Sequence, residues 1–429
     1  MNYKRLSFLF LLFTFFFSAA RAQQVLEEIR NNKQLAGSNY LAYPGPKKSL
    51  TAAPKGYKPF YISHYGRHGS RFLINPSDYS RPLQTLQHAD SLGKLTPLGK
   101  DVMRRVKMMS DEAYMRLGEL TPLGAEQHRQ IATRMYERFP EVFAGDVCID
   151  AKSTIVIRCI LSMENALQAL LLKNPQLRIT HDASEHDMFY MNLRDRKLST
   201  MRHDKATANA IDDYGKKVVD NTRVVSQLFN DTAYVSHNVS PRLGHWLFDL
   251  ATGLQNTELR RQITLYDLFT DEELYHNWQA SNAYWYASYG PSPLTGGQMP
   301  YSQRNLLRNI IQQADSCLRL ERPGATLRYG HETMVLPLVC LLGLNGYDQS
   351  IDDLSQLEAR GWINYNIFPM GANVQFIFYR QSPADTDVLF KVLLNEDEAT
   401  LPLTTDCAPY YHWADFRKHF LDKLNAYQE

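Results

Sequence analysis

The densest chemistry in this chain lies in the run Arg67, His68, Gly69, Ser70, Arg71, which follows, after Gly66, a largely apolar and aromatic stretch from Phe60 to Tyr65. A basic residue, a histidine and a glycine in a row are expected by chance roughly 0.07 times in a chain of this composition. The grouping has a chemical reason. A neutral imidazole is a competent nucleophile toward phosphorus, and guanidinium forks beside it neutralise and orient a phosphoryl group through paired hydrogen bonds. Glycine after the histidine lets the backbone approach a bulky anion.

Two later segments add groups of the same kind. In Ser153, Thr154, Ile155, Val156, Ile157, Arg158, strand alternation places Thr154, Val156 and Arg158 on one face and delivers Arg158 at the carboxyl end. In Thr326 to Glu332, His331 and Glu332 stand where a strand gives way to a helix running from Met334 to Leu342. A histidine there donates to phosphate, and a carboxyl group protonates a departing alkoxide, which otherwise leaves poorly. The plainer reading of Glu332 is an acid favoured at a helix N-terminus by the dipole.

These three segments share one layout, and it dictates what must hold them. Each is a short apolar run, then polar residues, then a helical pattern, which predicts an α/β fold with an open, mostly parallel sheet flanked by helices. Ligands in such sheets bind at the carboxyl ends of the strands, where the polar residues fall. Val374 to Arg380 and Val388 to Leu394 read as further strands. The repeated run LTPLG, at Leu95 to Gly99 and Leu120 to Gly124, marks two helix starts, with Thr as N-cap and Pro in the first turn. Between the second and third segments the pattern is helical with few strand-like runs, so the domain reading is a core of 23–175 and 320–429 with a helical insertion, 176–319. Within it, Trp278, Tyr284, Trp285, Tyr286 and Tyr289 are expected to fill the insertion's own core, although aromatic platforms of this kind also suit a lid or a sugar-binding protein.

Composition narrows the classes. The 429 residues are 44% hydrophobic and 21% charged, with 47 Lys and Arg against 45 Asp and Glu, which excludes a disordered or fibrous chain and argues against nucleic acid as a bulk partner. Lys4 and Arg5 ahead of the apolar run Leu6 to Phe17, with Ala20 and Ala22 after it, read as a secretory signal peptide over residues 1–22. Cleavage removes three basic residues from the 47 and leaves 44 against 45, about neutral. The expected location is therefore exported, periplasmic or extracellular, with no stable membrane insertion afterwards. The five cysteines, Cys148, Cys159, Cys317, Cys340 and Cys407, form neither a disulfide framework nor a CxxC metal motif, and at most one pair is left to bridge.

The three segments together resemble the histidine acid phosphatases, the branch of the histidine phosphatase superfamily that includes phytases. RHGSRFL, from Arg67 to Leu73, matches the family's RHGxRxP-type motif at the first five positions, with Leu73 where proline is usual. STIVIRCILSM, from Ser153 to Met163, is similar to the segment bearing the family's further arginine. Gly330, His331, Glu332, Thr333 fall between its His-Asp and His-Ala-Glu forms, the latter typical of multiple inositol polyphosphate phosphatases. NAYWYASYG, from Asn282 to Gly290, and KVLLNE, from Lys391 to Glu396, look more like that inositol polyphosphate group. The resemblance implies that His68 is the nucleophile and becomes a phosphohistidine, that Arg67, Arg71, Arg158 and His331 hold the phosphoryl oxygens, and that Glu332 is the general acid. It implies no metal and no cofactor.

Arg194, Arg196 and Lys197, with Arg202 and Lys205 close behind, are the candidate contacts for the extra phosphates of a small-molecule substrate such as phytate; a solvated helix face is the alternative. A broad-specificity acid phosphatase is the nearest competing function. A glycan-binding protein is the remote one, since it leaves Arg67, His68 and Arg71 without a role.

Overall fold

The computed structural model describes residues 23–428; the signal-peptide reading lies outside the described residues. The strands are β1 (Lys58–Arg67), β2 (Cys148–Ser153), β3 (Arg178–Asp182), β4 (Gly324–Gly330), β5 (Asn373–Arg380), β6 (Leu389–Leu394), β7 (Asp397–Ala399) and β8 (Tyr411–His412). They form one sheet in the order β3-β2-β4-β1-β5-β6-β7, with β8 paired to β6. β3, β2, β4 and β1 are mutually parallel, β5 is reversed, and β6 turns back to the direction of β1. The sheet is thus mixed and mostly of one direction. The principal helices are α1 (Pro76–Ser91), α2 (Pro97–Glu112), α3 (Pro122–Arg138), α4 (Ile157–Lys173), α5 (Lys205–Val218), α6 (Leu243–Leu254), α7 (Asp271–Tyr289), α8 (Arg304–Cys317), α9 (Glu332–Leu342) and α10 (Trp413–Ala426).

Both LTPLG runs start helices as their residue types dictate. Thr96 accepts from the Gly99 amide ahead of α2, Thr121 accepts from the Gly124 amide ahead of α3, and Pro97 and Pro122 occupy the first turns. Those threonines satisfy amides that the helix itself leaves unpaired.

The second segment departs from the sequence reading. β2 ends at Ser153 and α4 begins at Ile157, so Arg158 sits in the first turn of a helix, not at the end of a strand. The β-branched run Ile155, Val156, Ile157 suggested a half-buried strand, yet Ile155 and Ile157 are 47% and 69% exposed. Their apolarity carries no information about a buried face.

One face of the sheet packs Ile62, Ile149, Leu327 and Ile377 against α3 and α4 through Met135, Met163 and Leu170. The other packs Tyr61, Tyr65, Phe376 and Phe378 against α8, α9 and α10. A third cluster joins α1 and α2 to α6 and α7 through Leu86, Val102, Val106, Leu247, Phe248 and Trp278. The α7 aromatics therefore do not fill a core private to 176–319. Trp278 belongs to the cluster shared with α1 and α2, while Trp285 and Tyr286 belong to the sheet core. Segment 176–319 also supplies the edge strand β3 before it becomes helical. All five cysteines are free thiols, and no helix among the described residues is long and apolar enough to cross a membrane.

Candidate active site

Register places the site. Arg67 of β1 lies opposite Gly330 of β4, and Ser153 of β2 opposite Tyr329, so the three parallel strands finish level. The residues that follow, His68, Thr154 and His331, come together at one carboxyl edge. The His68 amide donates to the Gly330 carbonyl at 2.9 Å, and the His68 carbonyl accepts from the Gly371 amide at 2.9 Å. The His68 and His331 rings are 5.8 Å apart and nearly perpendicular.

His68 is fully buried. Its Nδ1 lies 2.9 Å from the Gly69 carbonyl. A carbonyl only accepts, so Nδ1 carries the proton and Nε2 keeps the lone pair that attacks an electrophile. Burial, only partly opposed by Glu332, holds the imidazole well below its ordinary pKa, and the ring stays neutral in mild acid. Nε2 has no hydrogen-bond partner among the described residues.

Arg67 is equally buried and is fixed from behind. Its Nη1 donates to the carbonyls of Asn39 at 2.6 Å and Phe368 at 2.8 Å, which aims Nε and Nη2 forward. Nε lies 3.0 Å from Glu332 Oε2, and burial lowers the guanidinium to about 10, still charged at any working pH. Arg71 donates from Nη1 to the Phe72 carbonyl at 2.9 Å and stacks over the Tyr40 ring at 5.4 Å. Arg158 reaches the Gly118 carbonyl at 3.4 Å. Arg67 Nη2, Arg71 Nε and Arg158 Nε are buried without hydrogen-bond partners among the described residues. All three arginines depress the proton affinity of His331, which burial first of all lowers to about 4. The arginines thus share one field with the two histidines.

His331 caps α9, and its Nε2 lies 3.1 Å from Thr154 Oγ1. Glu332 opens the helix with Oε2 3.6 Å from His68 Nε2. Burial pushes its carboxyl up, but Arg67, His68 and Arg71 together outweigh that and hold it well below the carboxylate range. His68, His331 and Glu332 have ligand atoms within 4.8 Å of one another. With three guanidinium groups in the same field, the pocket favours an anion over a cation.

Gly69 is needed for packing. A Cβ there would lie 2.4 Å from the Gly124 carbonyl oxygen, and one on Gly124 would lie 2.2 Å from the Ser70 carbonyl oxygen. The loop after β1 and the start of α3 touch backbone to backbone. Ser70 locks this contact: its amide donates to Gln127 Oε1 at 2.8 Å, Gln127 Nε2 donates back to its Oγ at 2.9 Å, and its Oγ donates to Asn256 Oδ1 at 2.7 Å. Leu73, which replaces a usual proline, donates its amide to the Tyr79 hydroxyl at 3.1 Å, a bond proline lacks.

A groove of about 930 Å³ adjoins α9 at Thr333 and Met334 and is lined by Arg194, Arg196, Arg202 and Lys205. Lys197 is not in it. The helix Arg196–Arg202 turns that side chain toward the chain end, where Nζ lies 5.9 Å from the Tyr427 ring and 3.5 Å from the Gln428 carbonyl. Sequence reasoning also missed Tyr40, Gln127 and Asn256, and the pairing of Thr154 with His331. Only the second LTPLG run, which carries Gly124 and Gln127 beside it, held a local hint.

A buried imidazole with a free lone pair, in a pocket that also holds unsatisfied guanidinium donors, has the chemistry of a phosphoryl-transfer site of the histidine type. Residues 66–395 match the family model of the histidine phosphatase superfamily, branch 2, and the chain belongs to that family. The fold is shared with solved structures. The multiple inositol polyphosphate phosphatase of Bifidobacterium longum, in complex with inositol hexasulfate, superposes with a TM-score of 0.74 at 19% identity, over 90% of this chain and 97% of that one. The phytase of D. castellii superposes at 0.68 with 14% identity, over 92% and 85%. The apo phytase of Hafnia alvei superposes at 0.53 with 14% identity, over 86% and 98%. No curated protein matches by sequence.

Proposed function

We propose that this phosphatase is an exported, metal-independent phosphomonoesterase that hydrolyses inositol polyphosphates such as phytate through a phosphohistidine. The observation that carries the reading is the set of buried, unpartnered nitrogens of Arg67, Arg71 and Arg158, which share one field with His331, together with the unpartnered His68 Nε2. Unmade hydrogen bonds at buried charged donors are costly and are tolerated where a ligand completes them.

The steps follow from these positions. His68 Nε2 attacks phosphorus in line, and the three guanidinium groups with His331 take up the charge on the phosphoryl oxygens. The incoming phosphoryl group raises the proton affinity of the Glu332 carboxylate. A monoanionic phosphate, with its second pKa near 6, delivers the needed proton below that pH. Glu332 then protonates the leaving oxygen and afterwards takes a proton from the water that hydrolyses the phosphohistidine. The arginines supply the charge that metal ions supply elsewhere.

Inositol polyphosphate is favoured over a simple monoester by the basic groove beside Thr333, and by the B. longum relative's complex with inositol hexasulfate. The sugar-platform alternative is weakened, because Trp278, Trp285 and Tyr286 are buried in the core and Tyr284 alone of the named aromatics is exposed. The export reading rests on the leader alone. Initial rates on phytate and on a simple aryl phosphate test the substrate: Arg194→Ala should raise KM for phytate several-fold and leave the aryl phosphate unchanged, and Lys197→Ala should change neither. Equal losses on both substrates would assign the groove no part in recognition.

A further inference from the structure

A second set of ligating groups stands at the opposite end of the sheet. His412 of β8 pairs with Leu389 of β6, Leu389 with Tyr379 of β5, and Tyr379 with Pro59 of β1. His412 is therefore level with the start of β1, while the catalytic residues follow its end. Just ahead of β8, a tight loop carries Thr405, Asp406 and Cys407.

Three side chains converge there. A carboxylate oxygen of Asp406, the Cys407 thiol and a ring nitrogen of His412 all lie within 4.8 Å of one another. His412 Nε2 is 3.1 Å from Asp406 Oδ1. Two ligands held about 2.0–2.1 Å from a tetrahedral zinc ion stand roughly 3.3 Å apart, so this pair is already spaced to share one ion. The other ring nitrogen, Nδ1, lies 2.8 Å from Asp387 Oδ1. A carboxylate behind a ligating histidine fixes its tautomer, so that Nε2, here bonded to Asp406, is the nitrogen that coordinates once an ion displaces its proton. Asp387 is itself braced, its amide donating to Asp385 Oδ1 at 3.0 Å. The thiol is oriented by Thr405 Oγ1 at 3.4 Å and by the Tyr410 carbonyl at 3.6 Å.

We propose that Asp406, Cys407 and His412 bind a zinc-class divalent cation, with Asp387 orienting His412 from behind and water completing the tetrahedron. Thiolate, imidazole and carboxylate together match zinc rather than magnesium or calcium, which take oxygen ligands. Binding releases the Cys407 thiol proton and any proton on His412 Nε2. Its effect is to tie the loop before β8 and the start of α10 to the segment that precedes β6, far from the phosphate pocket.

The test uses cobalt(II) as the probe on the full chain, in a His68→Ala background, because the catalytic group also clusters ligand atoms. One equivalent of cobalt should give the charge-transfer absorption of a thiolate ligand and protect Cys407 from alkylation, read by peptide mass spectrometry. Cys407→Ser should abolish the absorption, and Asp387→Asn should keep it while weakening affinity about 10- to 100-fold. Circular dichroism checks that each variant is folded. Absence of the absorption, or its retention in Cys407→Ser, overturns the site; unchanged affinity in Asp387→Asn overturns the orienting role. Cys407→Ser in the otherwise unaltered chain should leave phosphatase turnover unchanged.

Discussion

Replacing Glu332 with glutamine should tighten phosphate binding while impairing the reaction. Glu332 Oε2 stands 3.0 Å from Arg67 Nε and 3.6 Å from His68 Nε2, so it occupies the approach that a phosphoryl group must take. Its carboxyl is held well below the ordinary range, and at neutral pH it meets the incoming phosphate as an anion. Two unit charges about 4 Å apart at an effective dielectric of about 20 repel by about 4 kcal/mol. Arg67, Arg71 and Arg158 screen part of this, and a net release of about 1.4–2.8 kcal/mol corresponds to phosphate binding about 10- to 100-fold tighter. Calorimetric titration with inorganic phosphate at pH 7 measures it. The gain should shrink on acidification below about pH 6, where the phosphate arrives as a monoanion whose proton the wild-type carboxylate can share, so the repulsion is already relieved. In initial-rate assays the same variant should lose about 10²- to 10⁴-fold on an alkyl phosphate, whose oxygen leaves poorly, and far less on an aryl phosphate. Unchanged or weaker phosphate binding would refute the shared-pocket reasoning, and equal slowing of both esters would remove Glu332 as the acid.

Other expectations follow from the packing and the titrating groups. Gly69→Ala should lower stability by about 1–3 kcal/mol in urea unfolding and slow turnover by displacing His68, since its Cβ would lie 2.4 Å from the Gly124 carbonyl oxygen; wild-type stability and rate together would show that the loop yields at no cost. Burial first of all lowers His64 to about 3, and His128 and His331 to about 4. Between about pH 6.5 and 4 the unfolded chain binds protons there that the folded chain refuses, so stability should fall on acidification, by up to about 1.4 kcal/mol per pH unit per histidine. Asp249 and Glu358, whose carboxyls burial pushes up, oppose this trend, so the decisive comparison is His128→Gln, which should flatten the slope. An identical slope in that variant would place the titration elsewhere.

Much of the site was legible because its chemistry is packed into short runs at the ends of buried strands. The apolar run before Arg67 and that before His331 both made strands, and the residues after them had nowhere to go but the carboxyl edge. The threonine and proline of each LTPLG run likewise set a helix start by local hydrogen bonding alone. Arg158 was harder. The run of β-branched residues before it has the pattern of a strand, and only the ending of β2 at Ser153, opposite Tyr329 of β4, put it in a helix.

By itself, then, the sequence brought out His68 as the candidate nucleophile, its flanking arginines, the His-Glu pair and the level of the sheet at which they sit, since each depends on neighbours a few residues away. Only the tertiary structure decided which groups hold them. The carbonyls of Asn39 and Phe368 fix Arg67, Gly124 presses on Gly69, Asn256 closes the Ser70 network, and Lys197 turns away while Arg194 and Arg196 line the groove. These contacts join residues up to 301 positions apart. They are set by strand register and by close packing between layers, and neither leaves a periodic trace in the chain.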